Sequence, residues 1–398
     1  MQPIYGKYLA ALRAFGQNSA PEALSAEEAQ EVLRLAHINR TAGIVCYVYL
    51  SHPELVPASL LPGMRRLCYA DIELYSQRSS RMKLLMEKMS QQQIDCLLFK
   101  GLVVREYYPV PELRTFGDID FVIRTTDREK SDALMKELGY NPETSWEPVY
   151  SYRKENEHYE IHTDVMEIDV SDKADYKTYF SHIWEHVQPS TLVDYPHMWE
   201  FTPEYHLMYL LTHIAKHISG SGASIRMYLD IALFANHFGS TLNWQQIAEE
   251  LNTLCLSDFA NVVFTAAERW FGVPSPLELR PVPEQVLADF LDFTLEGGVY
   301  GYVGRDKSIV FLKQQSRSTE EVSKTKTLLF HAFPPVSSLE NRFTYLQKHR
   351  WLLPVAWVHR LVSSRKEWGR FADHTKKIIT ADTEEAQKLK QIYKELGL

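Results

Sequence analysis

The sequence predicts an α+β protein: a small mixed β-sheet of four or five strands, flanked by a helical domain on each side. Three segments carry that expectation. Residues 94–99 form a short apolar run that stops at Lys100-Gly101, and residues 118–123 form a second run. Residues 158–165 alternate polar and apolar side chains, the period of a half-buried strand. On either side the apolar residues recur at helical spacing instead. The expected boundaries are 1–92 for the N-terminal helical region, 93–190 for the α/β core and 191–398 for the C-terminal helical domain.

In the first region, Ser25-Ala-Glu-Glu28 has the form of a capping box, and Val32, Leu33 and Ala36 follow on one face. A second helix is expected over 63–92, with Met82, Leu85, Met86 and Met89 as a core-facing stripe. In the core, Thr126-Asp-Arg-Glu129 reads as another capping box opening a helix through Ala133, Leu134 and Leu138, with Gly139 at the position after its end. On the alternating strand, residues 158, 160, 162 and 164 share one face, while Tyr159, Ile161 and Val165 take the other. After residue 190, Thr202-Pro203-Glu204 is a cap with a proline in the first turn, leading through Leu207, Leu210, Leu211 and Ile214. Further helices are expected at 224–238, 244–254, 258–271 and 284–296. The glycines at 298, 301 and 304 have no GK[ST] after them and read as a turn. Residues 306–325 read as a polar loop, and 350–357 as a packed C-terminal helix.

At about 100–200 residues per domain, 398 residues make two or three packed units. With 45% hydrophobic and 24% charged residues, the composition argues against disorder. The net charge of −8 argues against bulk nucleic-acid binding, so any polyanion site is local. The cysteines at 46, 68, 96 and 255 form no CxxC pair, which fits a reducing, cytoplasmic setting and no thiolate zinc site. The first residues lack a signal-peptide pattern. No apolar run approaches the ~20 residues of a membrane span, so no membrane association is expected.

The chemistry concentrates at Asp118 and Asp120. Two residues apart on a strand, their carboxylates project from one face, as two oxygen ligands for Mg²⁺ would. Alone the pair says little, because 51 acids in 398 residues give about six such pairs by chance. The surroundings add to it. Lys100-Gly101 ends the preceding strand, where bare backbone can approach a phosphate. Glu160 offers a third carboxylate, with His162 and Asp164 on its face, and Asp164 and Asp169 stand as alternatives for that third acid. Neighbouring carboxylates repel, so at least one should have a raised pKa. On that reasoning Asp120→Asn should leave metal-free stability equal or slightly higher.

The run LLFKGLVVREYYPVPELRTFGDIDFVI at 97–123 resembles uncharacterised bacterial nucleotidyltransferases of the DNA-polymerase-β-like superfamily. So do EIH at 160–162, HLMYLLTHIAKH at 206–217 and RMYLDIA at 226–232. The resemblance implies Mg²⁺-dependent transfer of a nucleoside monophosphate from an NTP, with ATP the expected donor, to an unidentified acceptor hydroxyl, with pyrophosphate released. It implies Asp118, Asp120 and Glu160 as catalytic metal ligands, and Lys100, Gly101 and Arg114 as nucleotide-binding residues. It places His162, His213, His217, Arg226 and Asp230 on the acceptor side. His213 and His217 at i,i+4 also have zinc-binding spacing, but no Glu follows His213 as in HExxH. Gly101-Leu102 stands where the superfamily usually has Gly-Ser or Gly-Gly, which keeps open a catalytically silent module that binds a nucleotide or a partner.

Overall fold

The structure is a computed structural model. It describes residues 2–115, 117–146, 148–165, 170–171, 173–220 and 222–298, and beyond these 309, 312, 322–336, 339, 343, 345–363 and 368–398. The chain divides into two compact units, Met1–Val303 with Leu396–Leu398, and Gly304–Glu395. The first holds the sheet together with the helices on both sides of it in sequence.

The first unit begins with α1 (Pro3–Gln17), α2 (Ala26–Ile38), α3 (Ala42–Ser51) and α4 (Leu61–Gln91). Ser25 caps α2 as the sequence indicates: its hydroxyl accepts from the Glu28 amide, and the Glu28 carboxylate accepts from the Ser25 amide at 2.9 Å. Then follow β1 (Cys96–Leu98), α5 (Gly101–Val104), β2 (Ile119–Ile123), α6 (Arg128–Glu137), β3 (Asn141–Trp146), β4 (Val149–Lys154) and β5 (Glu157–His162). The expected box at Thr126 does not form. Residues Thr125–Asp127 make a 3-10 turn instead, and no side chain caps α6. Gly139 does take the left-handed conformation after the helix, at φ 82°. The unit continues with α7 (Tyr176–Phe180), β6 (Val187–Pro189), β7 (Met198–Phe201), α8 (Pro203–Gly220), α9 (Ile225–Phe238), α10 (Trp244–Thr253), α11 (Ser257–Phe271) and α12 (Glu284–Gly297).

The sheet has seven strands in the order β3-β4-β5-β2-β1-β7-β6, more than the four or five expected. It is mixed. Strands β2 and β5 run parallel, as do β1 and β7, and the remaining neighbours are antiparallel. Alternation divides its central residues between two faces. Cys96, Leu98, Ile119, Phe121, Ile123, Tyr159 and Ile161 join one core with Met82, Leu85, Met86 and Met89 of α4. Met86 is fully buried there, and truncating it to Ala should cost about 2–5 kcal/mol. The other face carries Asp120, Val122, Glu160 and His162. Phe99, just past β1, packs against Tyr209 of α8 with ring centroids 5.2 Å apart. The polar side chains of β2 and β5 therefore emerge on the face that α8 covers.

In the second unit the described helices are Lys324–Ala332, Tyr345–Lys348, Leu353–Ser363, Trp368–Thr380 and Thr383–Glu395. Leu339, Phe343, Leu346 and Ala356 form a small core. The segment 350–357 is only half packed: Ala356 is buried, but Trp351, Val355 and Val358 are exposed. Gly298 is described, at φ 58° after α12. Gly301, Gly304 and most of 306–325 lie outside the described residues.

Candidate active site

The site starts at the turn that leaves β1. Lys100 adopts φ 51°, a conformation that favours glycine and costs about 1–3 kcal/mol for other residues. The turn delivers its ammonium to Asp120, with Nζ 3.2 Å from Oδ1. His162 reaches the same oxygen from β5 at 2.9 Å. A carboxylate only accepts, so the imidazole carries its proton on Nε2. Burial acts to raise the Asp120 pKa, but Lys100 and His162 overcome it and hold the carboxyl well below the usual range. Burial likewise acts to lower Lys100, and Asp120, Tyr209 and Asp118 reverse that and raise it. Asp118 behaves oppositely to its neighbour. Burial, and then the Asp120 charge, push it up. One acid of the pair is raised, as expected, while the other is already answered by Lys100 and His162.

Glu160 lies directly beside Asp120 in the parallel ladder of β2 and β5. That register explains how residues 40 apart in sequence become neighbours. Two groups of potential ligand atoms result, each within 4.8 Å: Asp118, His158 and Glu160, and Asp120, Glu160 and His162. Glu160 belongs to both. Asp164 belongs to neither, and Asp169 lies outside the described residues. Two carboxylates and an imidazole in each group fit a divalent cation. The oxygens suit Mg²⁺, and the imidazole extends the fit to Mn²⁺.

Arg114 and Asp230 are committed to one another. The Arg114 Nε donates to Oδ1 at 3.0 Å and Nη2 to Oδ2 at 2.6 Å, while the Tyr108 hydroxyl adds a bond to Oδ1 at 2.6 Å. All three side chains are buried. This bidentate pair ties the loop before β2 to α9, from residues 116 apart in the chain. It also explains Gly101. A Cβ there would collide with the Arg114 guanidinium, whose Cζ would be 2.8 Å away. The bare backbone accommodates Arg114, where the sequence reading gave it directly to phosphate. Arg226 of α9 donates to the backbone oxygen of Thr115, and burial together with the Arg114 charge lowers its pKa to about 10.

His213 and His217 sit one turn apart on α8 with their Nε2 atoms 3.1 Å apart. Burial, then Lys100 and Lys216, keep both neutral, with His217 also lowering His213: His217 falls to about 4, and His213 lies well below its ordinary value. His206, about two turns earlier, is buried against Phe201 and Phe234.

A cavity of about 670 Å³ is lined by every residue singled out from the sequence: Lys100, Gly101, Arg114, Asp118, Asp120, Glu160, His162, His213, His217, Arg226 and Asp230. It also contains residues that sequence reasoning missed, among them His37 of α2, Arg40 of the turn after it, Asp71 and Arg78 of α4 and Lys216 of α8. Lys216 was within reach, since it lies between two singled-out histidines. Arg40 and Arg78 carried no local signal, because only the packing of the N-terminal helices brings the α2–α3 turn and α4 to the cavity.

The family described as uncharacterised nucleotidyltransferase matches residues 25–272, more than half of the chain. The chain belongs to this nucleotidyltransferase family. No curated protein and no solved structure matches it. Membership implies a nucleotide substrate. The matched span holds the whole cavity lining, from His37 to Asp230. The second compact unit begins beyond it.

Proposed function

We propose that the protein is a Mg²⁺-dependent nucleotidyltransferase of the DNA-polymerase-β-like superfamily. It would move a nucleoside monophosphate from an NTP, with ATP the expected donor, to an acceptor hydroxyl and release pyrophosphate. The observation that carries this reading is the ladder register that sets Glu160 beside Asp120, with Asp118 grouped with Glu160 and His158 at the cavity's edge of the sheet. Asp118, Asp120 and Glu160 would hold the metal, with His158 and His162 at their flanks. A divalent cation bound there would neutralise donor phosphate charge and acidify the acceptor hydroxyl. His162, by donating to Asp120, fixes which carboxylate lone pairs face the cavity. Lys100 supplies positive charge beside the phosphates once Asp120 turns to a metal. Arg114 positions the loop that carries Asp118, through its pair with Asp230. The core boundaries 93–190 serve as a functional division: that stretch carries all the proposed ligands, and the helices on both sides wall the cavity.

A second reading has its own observation. The Lys100–Asp120 pair at 3.2 Å puts a permanent cation against a proposed metal ligand. A chain that supplies its own counter-ion can bind a nucleotide or a partner without chemistry. Pyrophosphate release from each of the four NTPs, with and without Mg²⁺, separates the two. Release that requires Mg²⁺ and is lost in Asp118→Asn supports the transferase. Binding with no metal requirement and no release supports the silent module.

A further inference from the structure

We propose that the His213–His217 pair, with Lys100 and Lys216 beside it, forms the subsite for the terminal phosphates of the donor and for the pyrophosphate they become. This rests on the transferase reading and deepens it, and it moves the two histidines from the acceptor side to the donor side of the cavity. The geometry is specific. The two rings sit at i,i+4 on α8, at 83° to each other with centroids 4.5 Å apart, and both line the cavity. Their Nε2 atoms converge to 3.1 Å, so two neutral rings hold one proton between them. The charged and titratable groups that act most strongly on the pair are Lys100 from the turn after β1, Asp120 from β2, His162 from β5 and Lys216 on α8 itself, while Asp118 and Glu160 line the same cavity. Asp120 is the one anion among them, and Lys100 and His162 already answer its charge at 3.2 and 2.9 Å. What remains at this end of the cavity is a positive field around two neutral bases. A cation is disfavoured there. An anion is favoured, and its arrival makes one further proton on the pair favourable as well.

In the transfer, the acceptor hydroxyl releases its proton to solvent as its oxygen bonds to the α-phosphorus, and the bond from that phosphorus to the bridging oxygen breaks. The electron pair of the broken bond leaves with pyrophosphate, and the added negative charge falls on the group this subsite holds. The proton taken up by the pair then serves as a hydrogen-bond donor to that oxygen.

The test uses inorganic pyrophosphate without added metal, titrated calorimetrically at pH 6.5 in two buffers of different ionisation enthalpy. The wild-type protein should bind it and take up more protons than His217→Gln or His213→Gln does. Pyrophosphate's own protonation is common to all three and cancels in that difference. Both variants should bind about tenfold more weakly or worse, the loss expected for one hydrogen bond to a charged group. Lys216→Gln should also weaken binding but keep the proton uptake, which preserves the test should either histidine variant fail to fold. Equal affinity and equal uptake in wild type and histidine variants would overturn the proposal, as would no wild-type binding at millimolar pyrophosphate. Failure of the transferase reading looks different: Mg²⁺–NTP binding would then be indifferent to Asp118→Asn, whatever pyrophosphate does.

Discussion

Asp120→Asn separates two accounts of the acid pair by sign. If repulsion between carboxylates dominates, removing one charge leaves the metal-free protein equally or more stable. The structure says otherwise, because Asp120 answers Lys100 at 3.2 Å and His162 at 2.9 Å. The side chains of Asp120 and Lys100 are only 14% and 18% exposed, so the substitution strands a largely buried ammonium. Breaking one partner out of a buried pair costs about 3–5 kcal/mol. Asn retains the shape and one acceptor oxygen, and some solvent reaches both groups, so the expected cost is about 2–3 kcal/mol. For a unit of about 300 residues that is about 3–5 °C in Tm. The pH dependence has a definite direction. The folded-state pKa of Asp120 lies below its unfolded value, so its contribution is complete above the ordinary carboxylate pKa and is lost as pH falls through the folded value. Thermal melts in EDTA should therefore show the full deficit at pH 7 and a shrinking one near pH 4 and below. Lys100→Met combined with Asp120→Asn should recover part of the loss. A metal-free Tm for Asp120→Asn at or above wild type, unaffected by the residue at 100, would refute the reasoning.

Asp118→Asn should act in the opposite sense. Burial and Asp120 raise the Asp118 pKa, so its charge is a burden at neutral pH, and the metal-free melt at pH 7 should be equal or higher; a clear loss of Tm would contradict that. Gly101→Ala should cost about 3 kcal/mol or more in a denaturant titration, because the new methyl displaces Arg114 from Asp230. A change within about 0.5 kcal/mol would show that the guanidinium shifts freely. His206, brought to about 3 chiefly by burial, stays neutral in the fold while the unfolded imidazole titrates near 6.5. Its contribution is complete above pH 6.5 and declines as pH falls toward 3, by about 3 kcal/mol between pH 6.5 and 4. His206→Gln should flatten that limb of the stability curve, with a shared residual slope from His213 and His217; an unchanged slope would show that His206 is already protonated in the fold.

The sequence was most legible where one element carries its own period. The helices α9 to α12 lie within one or two residues of their expected ranges, because each is amphipathic and capped or followed by a breaker. β1, β2 and β5 were visible as apolar runs or alternation. β3 and β4 were not. Their residues are largely polar, Pro142 interrupts β3, and the pairing slips between Pro142 and Thr144. β6 and β7 are three and four residues long, too short for any pattern. At the cavity, the acids showed because strand geometry alone aligns them. The pairing of Arg114 with Asp230, the use of Gly101 for a guanidinium and the answer of Lys100 to Asp120 are contacts between distant segments, and local pattern does not encode them. The singled-out charges line one cavity, but the local pattern misjudged the balance of repulsion and attraction around Asp120.

The most direct measurement is the melting shift of the wild-type protein and of Asp118→Asn with ATP, Mg²⁺ and both together, with pyrophosphate release followed in the same samples. Ligand at a hundredfold over Kd stabilises by about 2.7 kcal/mol, well within the resolution of a melt. The transferase account expects a shift in wild type that requires ATP and Mg²⁺ together, accompanied by pyrophosphate release, with both lost in Asp118→Asn although its own fold melts no lower. A shift of the same size without Mg²⁺, retained in Asp118→Asn and with no pyrophosphate formed, would contradict it and leave Lys100 as the resident counter-ion of a binding module.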